Sequence, residues 1–527
     1  MDVWSHVAAG VLAVIQGPAM FHVGAIPVSV TIVMILAGFL AGIAVGATPG
    51  LAGPMAMAVS LPILISVFGY EQASLLPVLG FLIGVMKGAT VGGAVPAILF
   101  NTPGTPDALL TTYDGYPMTR NGQSGKALRI AHFSSVSGDT LSDILLFLCA
   151  PFLAVLVESF LDLPEKTALI LLSMAFIAAV VGKSVMKGLL AAGFGMLVAF
   201  VGTGEEFYPR LSAGLPELAQ GIPVVSAILG MLILGEVIKG LEDLMRERSA
   251  TGRISQVAET GDNRLALREK LRLLPFIGNS AAIGAIVGIL PGVGSTLAAT
   301  LGYASGRRKQ ARRGGAEFGT GAPEGVASTE AANSAVSGAN LIPVLSLGIP
   351  GNTAAVFLIL AMETIGGFNP GPSVFRIPSE GMNEEMVIAF GIFTAMVIAN
   401  LLNWTIGGAF MRWMGIMIRI PKQILLPSVL LVTMVAIYAQ ETSFSALVFA
   451  LGFGVLGYFF RKLHISVLPF VIAFILAGTL ERTARQAFSA TGGDPFFLFS
   501  SPLAAILMIV AVALVILFGR RRMESQH

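Results

Sequence analysis

Cysteine is almost missing from these 527 residues: the one present, Cys149, sits in an apolar run. A single thiol allows no disulfide within the chain and makes a thiolate metal site a poor expectation. Charge is scarce too. Only 12% of residues are Asp, Glu, Lys or Arg, and they nearly cancel to a net +2. The basic residues are spread over short loops, so no nucleic-acid surface is expected. Catalytic signatures are missing as well: there is no H-E-x-x-H and no G-x-S-x-G, and the five histidines, at 6, 22, 132, 464 and 527, are scattered. "GKS" at 182–184 looks like a phosphate-loop fragment, but the glycine required five residues earlier is Ile177. These absences argue against an intramembrane enzyme and against an ATP-driven pump, and no cofactor is expected. The first residues, "MDVWSHVAAG", lack the basic stretch of a cleaved signal peptide, so the N-terminus is expected to be retained.

Long apolar runs are what the chain has in abundance. It is 55% hydrophobic with a mean hydropathy of +0.83, the composition of a polytopic membrane protein. Runs of about 20 apolar residues, each enough to cross a hydrocarbon core as a helix, recur almost end to end. Lys and Arg in short loops mark the cytoplasmic side: 119–129, 182–187, 306–313, 411–422, 461–462 and 519–522 are basic, whereas 67–74, 157–165, 202–207, 367–385 and 438–443 are poor in basic residues or richer in acids. Crossings then alternate through 137–240 and again as 386–411, 423–440, 442–460, 464–480 and 501–519, which puts the C-terminus in the cytoplasm. Residues 275–305 enter and leave between two basic stretches and are too few for two spans of ~20 residues, so a re-entrant hairpin with Pro291-Gly292 at its tip is expected.

The same pattern occurs earlier. "AGIAVGATPGLAG" (41–53) matches "IGAIVGILPGVGS" (283–295), with Pro49-Gly50 against Pro291-Gly292. "GGAVPAILFNTPGTPDALL" (92–110) matches "GANLIPVLSLGIPGNTAAVFL" (338–358), with Pro103-Gly104 against Pro350-Gly351. Loop charges swap sign between the copies, so the repeats are expected to be inverted in the membrane. Inverted repeats with interrupted helices belong to secondary transporters, and the interruptions point to the substrate site. Irregular backbone at membrane depth needs protein or an aqueous cavity around it, and the free N–H groups of a half-helix suit a carboxylate. The expected fold is all-α and polytopic, with about 12 transmembrane helices plus two re-entrant hairpins. It divides into a membrane or interfacial helix (1–27), repeat one (28–240), a cytoplasmic loop (241–274), repeat two (275–480), and a last span with a short basic tail (481–527).

At the same residues the chain resembles the large permease subunit of tripartite tricarboxylate transporters, the TctA family. The matching stretches are "GATPGLAG" (46–53), "PAILFNTPGTPDALLTTYDGYPM" (96–118), "GILPGVGST" (288–296) and "GAPEGVASTEAANSAVSGANLIPVLSLGIPGN" (321–352). The resemblance implies a bacterial inner-membrane permease driven by a cation gradient, Na⁺ with H⁺ as the alternative. It also implies a small membrane subunit and a periplasmic solute-binding protein that delivers carboxylates such as citrate. An anion or ion channel is the rival reading, because broken helices also line pores.

Motif and break logic coincide on Thr48, Pro49, Gly50, Asn101, Thr102, Pro103, Gly104, Thr105, Pro291, Gly292, Gly294, Ser295, Pro350, Gly351, Asn352 and Thr353 as substrate-binding candidates. The plainer role of their Asn, Thr and Ser side chains is helix capping. Glu324, Glu330 and Asn333 are candidates for cation coupling, or else carboxylates answering the arginines just upstream. Asp107 reads as a cap in the break. Asp139 and Asp143 read as charge balance for the basic 119–129 loop, and Lys87, inside an apolar span, as a snorkelling lysine rather than an anion contact.

Overall fold

The computed structural model describes residues 3–23, 26–48, 51–181, 184–202, 209–246, 264–378, 381–414 and 422–524. It is almost entirely helical, as a chain surrounded by lipid must be to satisfy its own backbone. The chain opens with α1 (Val3–Ile15) and a small antiparallel hairpin, β1 (Ala19–Val23) and β2 (Ile26–Ser29). Ser29 ends the hairpin and caps α2 (Val30–Gly46) by accepting from the Ile32 N–H. Next come α3 (Gly53–Phe68), α4 (Leu75–Phe100), a 3₁₀ turn (Pro106–Leu109), α5 (Thr111–Arg120), α6 (Ser124–Phe160), α7 (Leu163–Val180) and α8 (Val185–Ala199). The short α9 (Pro216–Ala219) precedes α10 (Val224–Leu229), which runs through a π turn (Gly230–Leu234) into α11 (Gly235–Arg246).

The second half begins with α12 (Leu267–Ile289) and α13 (Gly294–Arg313). A segmented helix follows as α14 (Pro323–Ser334), α15 (Val336–Ala339) and α16 (Leu341–Leu347), and then α17 (Thr353–Thr364). α18 (Glu384–Leu402) continues through a second π turn (Asn403–Gly407) into α19 (Gly408–Met414). The chain ends with α20 (Lys422–Glu441), α21 (Phe444–Lys462), α22 (Leu468–Ala490) and α23 (Pro502–Glu524). Among the described residues, nine helical runs are long and apolar enough to cross a membrane.

The chain divides into two compact units, each drawn from both halves of the sequence. Unit one is 1–155 with 249–421, and unit two is 156–248 with 422–527. In unit one, α2 and α4 run parallel and almost touch. A side chain at Gly38, Gly42 or Gly46 would run into the backbone of Phe81, Val85 or Ala89. A side chain at Gly84, Gly88 or Gly92 would likewise strike the backbone of Ile35, Phe39 or Ile43. Glycine every fourth residue is how two membrane helices gain van der Waals contact when lipid offers no hydrophobic drive. The second half repeats the arrangement: Gly284 of α12 sits against Ala332 and Gly288 against Val336 and Ala339, so α12 lies parallel to α14–α15. α13 returns antiparallel, with Gly302 and Gly306 against Ala332 and Ser328.

α4 and α14–α15 have opposite senses. α6 runs antiparallel to α4, since Lys87 reaches Asp139 and Asp143 while Val91–Ile98 cluster with Ala127–Ala131. α6 runs parallel to α14–α15, with Ser135 bonded to Glu330 and Ser142 to the Ala339 N–H. Hence α14–α15 is antiparallel to α4.

Unit two packs by the same device. Gly188 lies on Ala178 and Gly195 on Phe470, which brings α8 against α7 and α22. Gly230 and Gly457 let α10–α11 and α21 close together. The π turn at Gly230–Leu234 frees carbonyls, and Arg461 satisfies those of Met231 and Leu232 at 2.8 and 2.7 Å.

The helix ends differ from the sequence expectation around the second hairpin. α12 starts at Leu267, inside the stretch assigned to a loop over 241–274, and α13 carries the basic residues 306–313 on its last turns rather than in a loop. Residues 247–263 of that loop lie outside the described residues. The hairpin is thus longer than 275–305, and α12, at 23 residues, is itself one of the runs long enough to span. The shortage of residues that argued for re-entry is therefore absent. Basic side chains mark a solvated helix end as readily as a loop, and this moved the expected boundaries inward.

Candidate functional site

The opening interruption of the first half, Pro49-Gly50, lies outside the described residues. Beside it, α2 ends and Thr48 turns its hydroxyl back onto the Ala44 carbonyl at 2.8 Å. α4 stops at Asn101, whose φ of 54° places it in the left-handed region that favours Gly and Asn. The Asn101 N–H and, at 3.2 Å, the Thr102 N–H both donate back to the Pro96 carbonyl, so the left-handed residue ends the helix and its last turn closes on itself. The Phe100 carbonyl takes the Thr102 hydroxyl at 3.2 Å. The chain then folds back over α4, where the Gly104 N–H donates to the Gly93 carbonyl at 3.3 Å and Gly104 lies against the Gly46 carbonyl at the end of α2. Thr105 is buried beside Gly93, and its hydroxyl has no partner among the described residues.

The second half folds back in the same way. α12 ends before Pro291, and Gly292 and Gly294 take φ values of 78° and 73°, open to glycine at little cost. α16 stops at the left-handed Gly348, after which Gly351 packs on Asn340, as Gly104 packs on Gly93 at the same separation along the chain. The Gly292 N–H donates to the Gly351 carbonyl at 2.7 Å, which joins the two interruptions of this half. Asn352 caps α17 by accepting from the Ala355 N–H at 2.9 Å, and Thr353 is the first residue of that helix.

The halves meet where Thr296, next to Ser295 at the start of α13, donates its hydroxyl to Asp107 at 2.7 Å. Asp107, read from the sequence as a cap, instead links the two halves of the chain. Of the polar candidates, Thr48, Thr102 and Asn352 spend their side chains on helix ends, Asn101 is exposed, and Thr105 is buried and unpartnered.

The polar stripe of α14–α16 lies alongside. Glu330 is fully buried and accepts from the Thr111 hydroxyl and, at 2.9 Å, from the Ser135 hydroxyl. Among the described residues, the buried Asn333 and Asn340 leave their side-chain oxygen and nitrogen atoms without partners, as does the Ser334 hydroxyl. Buried polar atoms usually find a partner in protein or ordered water, so these oxygens and amides are candidates for contact with water or a polar ligand. Glu324 behaves differently. It pairs at 2.9 Å with Arg272 of α12, which makes it a carboxylate answering an arginine, although not one of those at 306–313.

The profile of the tripartite tricarboxylate transporter TctA family matches residues 32–472. The chain belongs to this family. It is 31% identical over 496 residues, 93% of each chain, to "Uncharacterized 52.8 kDa protein in TAR-I ttuC' 3'region" of Agrobacterium vitis. It is also 31% identical over 238 residues to "Uncharacterized protein in TAR-II ttuC' 3'region" of the same organism, 44% of this chain and 93% of that one. No solved structure matches. TctA proteins are permeases of a multi-subunit transporter, not enzymes, and the apolar helical runs make this one a multi-pass membrane protein.

Two sites in this TctA protein escaped the sequence reading. Lys87 does not snorkel: it is buried, with Asp139 and Asp143 each at 2.8 Å and the Asn400 side-chain oxygen at 3.4 Å. Asp139 also accepts from the Ser337 hydroxyl, and Asp143 from the Asn400 amide at 2.6 Å. The aspartates therefore serve Lys87, not the basic 119–129 loop. The available signal was a lone lysine in one apolar helix and two acids spaced i, i+4 in another. Asp114 is the second site. One of its oxygens accepts the N–H groups of Gly319, Gly321 and Ala322 at 2.8, 3.0 and 2.8 Å, and the other the Tyr303 hydroxyl at 3.0 Å. It holds the segment leading into α14, and nothing local in "TTYDGYPM" distinguishes it from a surface acid.

Proposed function

We propose that this chain is the permease of a cation-coupled importer of tricarboxylates or related carboxylates, Na⁺ being the coupling ion. The observation that carries the reading is the meeting of interrupted helices from both halves of the chain at Asp107 and Thr296, in a family of tricarboxylate transporters. The carboxylate would bind to the backbone N–H groups and side chains around Thr48–Gly50, Asn101–Thr105, Pro291–Ser295 and Pro350–Thr353. Helix starts at such breaks carry a positive partial charge that favours an anion, and the N–H groups of Asn101, Thr102, Gly104 and Gly292, which already donate to carbonyls, are left out of this role. The parallel internal packing of α2 with α4 and of α12 with α14–α15, and the opposite senses of α4 and α14, support two inverted repeats.

Glu330 is the proposed coupling residue, with Asn333 beside it. Hydroxyl, amide and carboxylate oxygens suit a hard monovalent cation. Among the described residues no basic group pairs with Glu330, and an ionisable group so buried in a membrane protein calls for a compensating positive charge. Glu324, already paired with Arg272, is left out of this role. An elevator-like motion carrying unit one, which holds all the interruptions, would alternate access. In this reading the chain works in the bacterial inner membrane with its C-terminus in the cytoplasm, beside a small membrane subunit and fed by a periplasmic solute-binding protein.

Counterflow of labelled citrate and dicarboxylates in proteoliposomes tests this, with and without Na⁺. Saturable, Na⁺-dependent exchange is expected; ion conductance independent of any gradient would replace the transporter with a channel. Glu330→Gln should keep exchange of bound substrate but lose accumulation against a gradient. Full Na⁺-driven accumulation by that variant would remove Glu330 from coupling.

A further inference from the structure

We infer that a basic cavity in unit one, apart from the helix interruptions, binds the phosphate headgroup of an anionic phospholipid. The cavity, of about 290 Å³, is lined by Arg129 and His132 of α6, Lys270 of α12, Trp404 of the π turn and Arg412 of α19. Three basic side chains line it, and among the described residues none of them pairs with a carboxylate. Among the described residues, Lys270 lies over the Phe133 ring at 5.4 Å, Arg412 donates to the Gly408 carbonyl at 3.0 Å, and the Nε of Arg129 is buried with no partner. Like charges gathered without counterions repel one another, and an anion seated between them relieves this while taking charge-assisted hydrogen bonds.

The site is shaped, not incidental. The π turn at Asn403–Gly407 frees the Asn403 carbonyl, and His132 Nε2 lies 2.9 Å from it. A carbonyl can only accept, so Nε2 carries the hydrogen. The imidazole fits because Gly408 has no side chain: a Cβ there would sit 2.9 Å from His132 Nδ1. Trp404 is tied to Thr140 through its indole N–H at 3.2 Å.

The surroundings choose between a lipid and a small soluble anion. From the Thr140–Trp404 bond to the ring contacts of Phe147 with Phe390 and Phe393, α6 and α18 run side by side. On this stretch Ile144, Val397 and Leu401 are 52%, 52% and 58% exposed. An apolar surface continuing from a basic cavity accommodates acyl chains below a headgroup, whereas a free carboxylate or phosphate gains nothing from it. Basic pockets between membrane helices, with Trp at the interface, are where anionic lipids are recognised.

Native mass spectrometry of the full chain in detergent, titrated with phosphatidylglycerol or phosphatidylcholine, tests the inference. Phosphatidylglycerol should be retained at least tenfold more tightly. Each cation removed should weaken it roughly fivefold, so the combined Arg129→Gln, Lys270→Gln and Arg412→Gln variant should lose about a hundredfold. Arg412→Gln alone, at an exposed position, reports if the combined variant fails to fold. Removing Arg307, Arg308 and Arg312, an equal charge on the exposed side of α13, should leave retention unchanged. Equal retention of both lipids, unchanged retention in the cavity variants, or displacement of phosphatidylglycerol by equimolar inorganic phosphate or citrate would each overturn the assignment.

Discussion

Replacing Lys87 with Met is the sharpest test of how unit one holds together. The Met side chain fills similar volume and removes only the charge and its hydrogen bonds. Lys87 uses its three N–H donors on Asp139, Asp143 and Asn400. Without it Asp139 keeps the Ser337 hydroxyl and Asp143 the Asn400 amide, but two carboxylates remain buried with no positive charge beside them among the described residues. Breaking a buried ion pair by removing one partner costs about 3–5 kcal/mol. At roughly 2 °C per kcal/mol for a large domain, the temperature at which the purified chain loses its monodisperse size-exclusion peak should fall by about 6–10 °C. Neutralising the acids as well should restore most of the loss, because an uncharged network leaves no lone charge in the interior. The combined Lys87→Met, Asp139→Asn and Asp143→Asn variant is therefore expected within about 2 kcal/mol of the parent. A single Lys87→Met variant as stable as the parent, or a combined variant no better than the single one, would show that these charges do not compensate each other.

Gly84→Ala should destabilise by about 1–3 kcal/mol, because the new methyl meets the backbone of Ile35 and Phe39. Gly193→Ala in α8, where nothing lies within 4 Å, should instead gain up to about 1 kcal/mol, and thermal unfolding of the pair checks both signs. Asp114→Ala strands three N–H groups, and hydrogen exchange at Gly319, Gly321 and Ala322 should accelerate by at least tenfold if that carboxylate holds the segment. Asn352→Ala should cost about 1 kcal/mol of stability through the lost cap of α17. Thr105→Val, with no hydrogen bond to lose, should spare stability and weaken citrate counterflow; unaltered counterflow would take Thr105 out of the site.

Much of the architecture was legible because hydropathy and loop charge act locally. Helices stand at all five crossings expected over 386–411, 423–440, 442–460, 464–480 and 501–519, as α18–α19 and α20 to α23, and all but α22 are among the runs long and apolar enough to span. The Pro-Gly interruptions were legible because proline and glycine end helices wherever they stand. Asn101 and Asn352 were visible as polar residues at helix ends, but their division of labour was not. The i, i+3 relation of Glu330 and Asn333 was visible as well, while the burial of Glu330 between Thr111 and Ser135 needed two other helices in place.

Composition by itself determined that this protein crosses a membrane many times as helices, since a backbone in lipid has no other way to pair its polar groups. The spaced motifs by themselves determined its family and the helix ends at Asn101, Pro291 and Gly348. Only the tertiary structure decided which charges are partners: Lys87 with Asp139 and Asp143, Glu324 with Arg272, and Arg129, Lys270 and Arg412 around one cavity. Sequence distance carries no information about such pairs, because they are selected by which helix faces meet, and that is decided by tertiary packing.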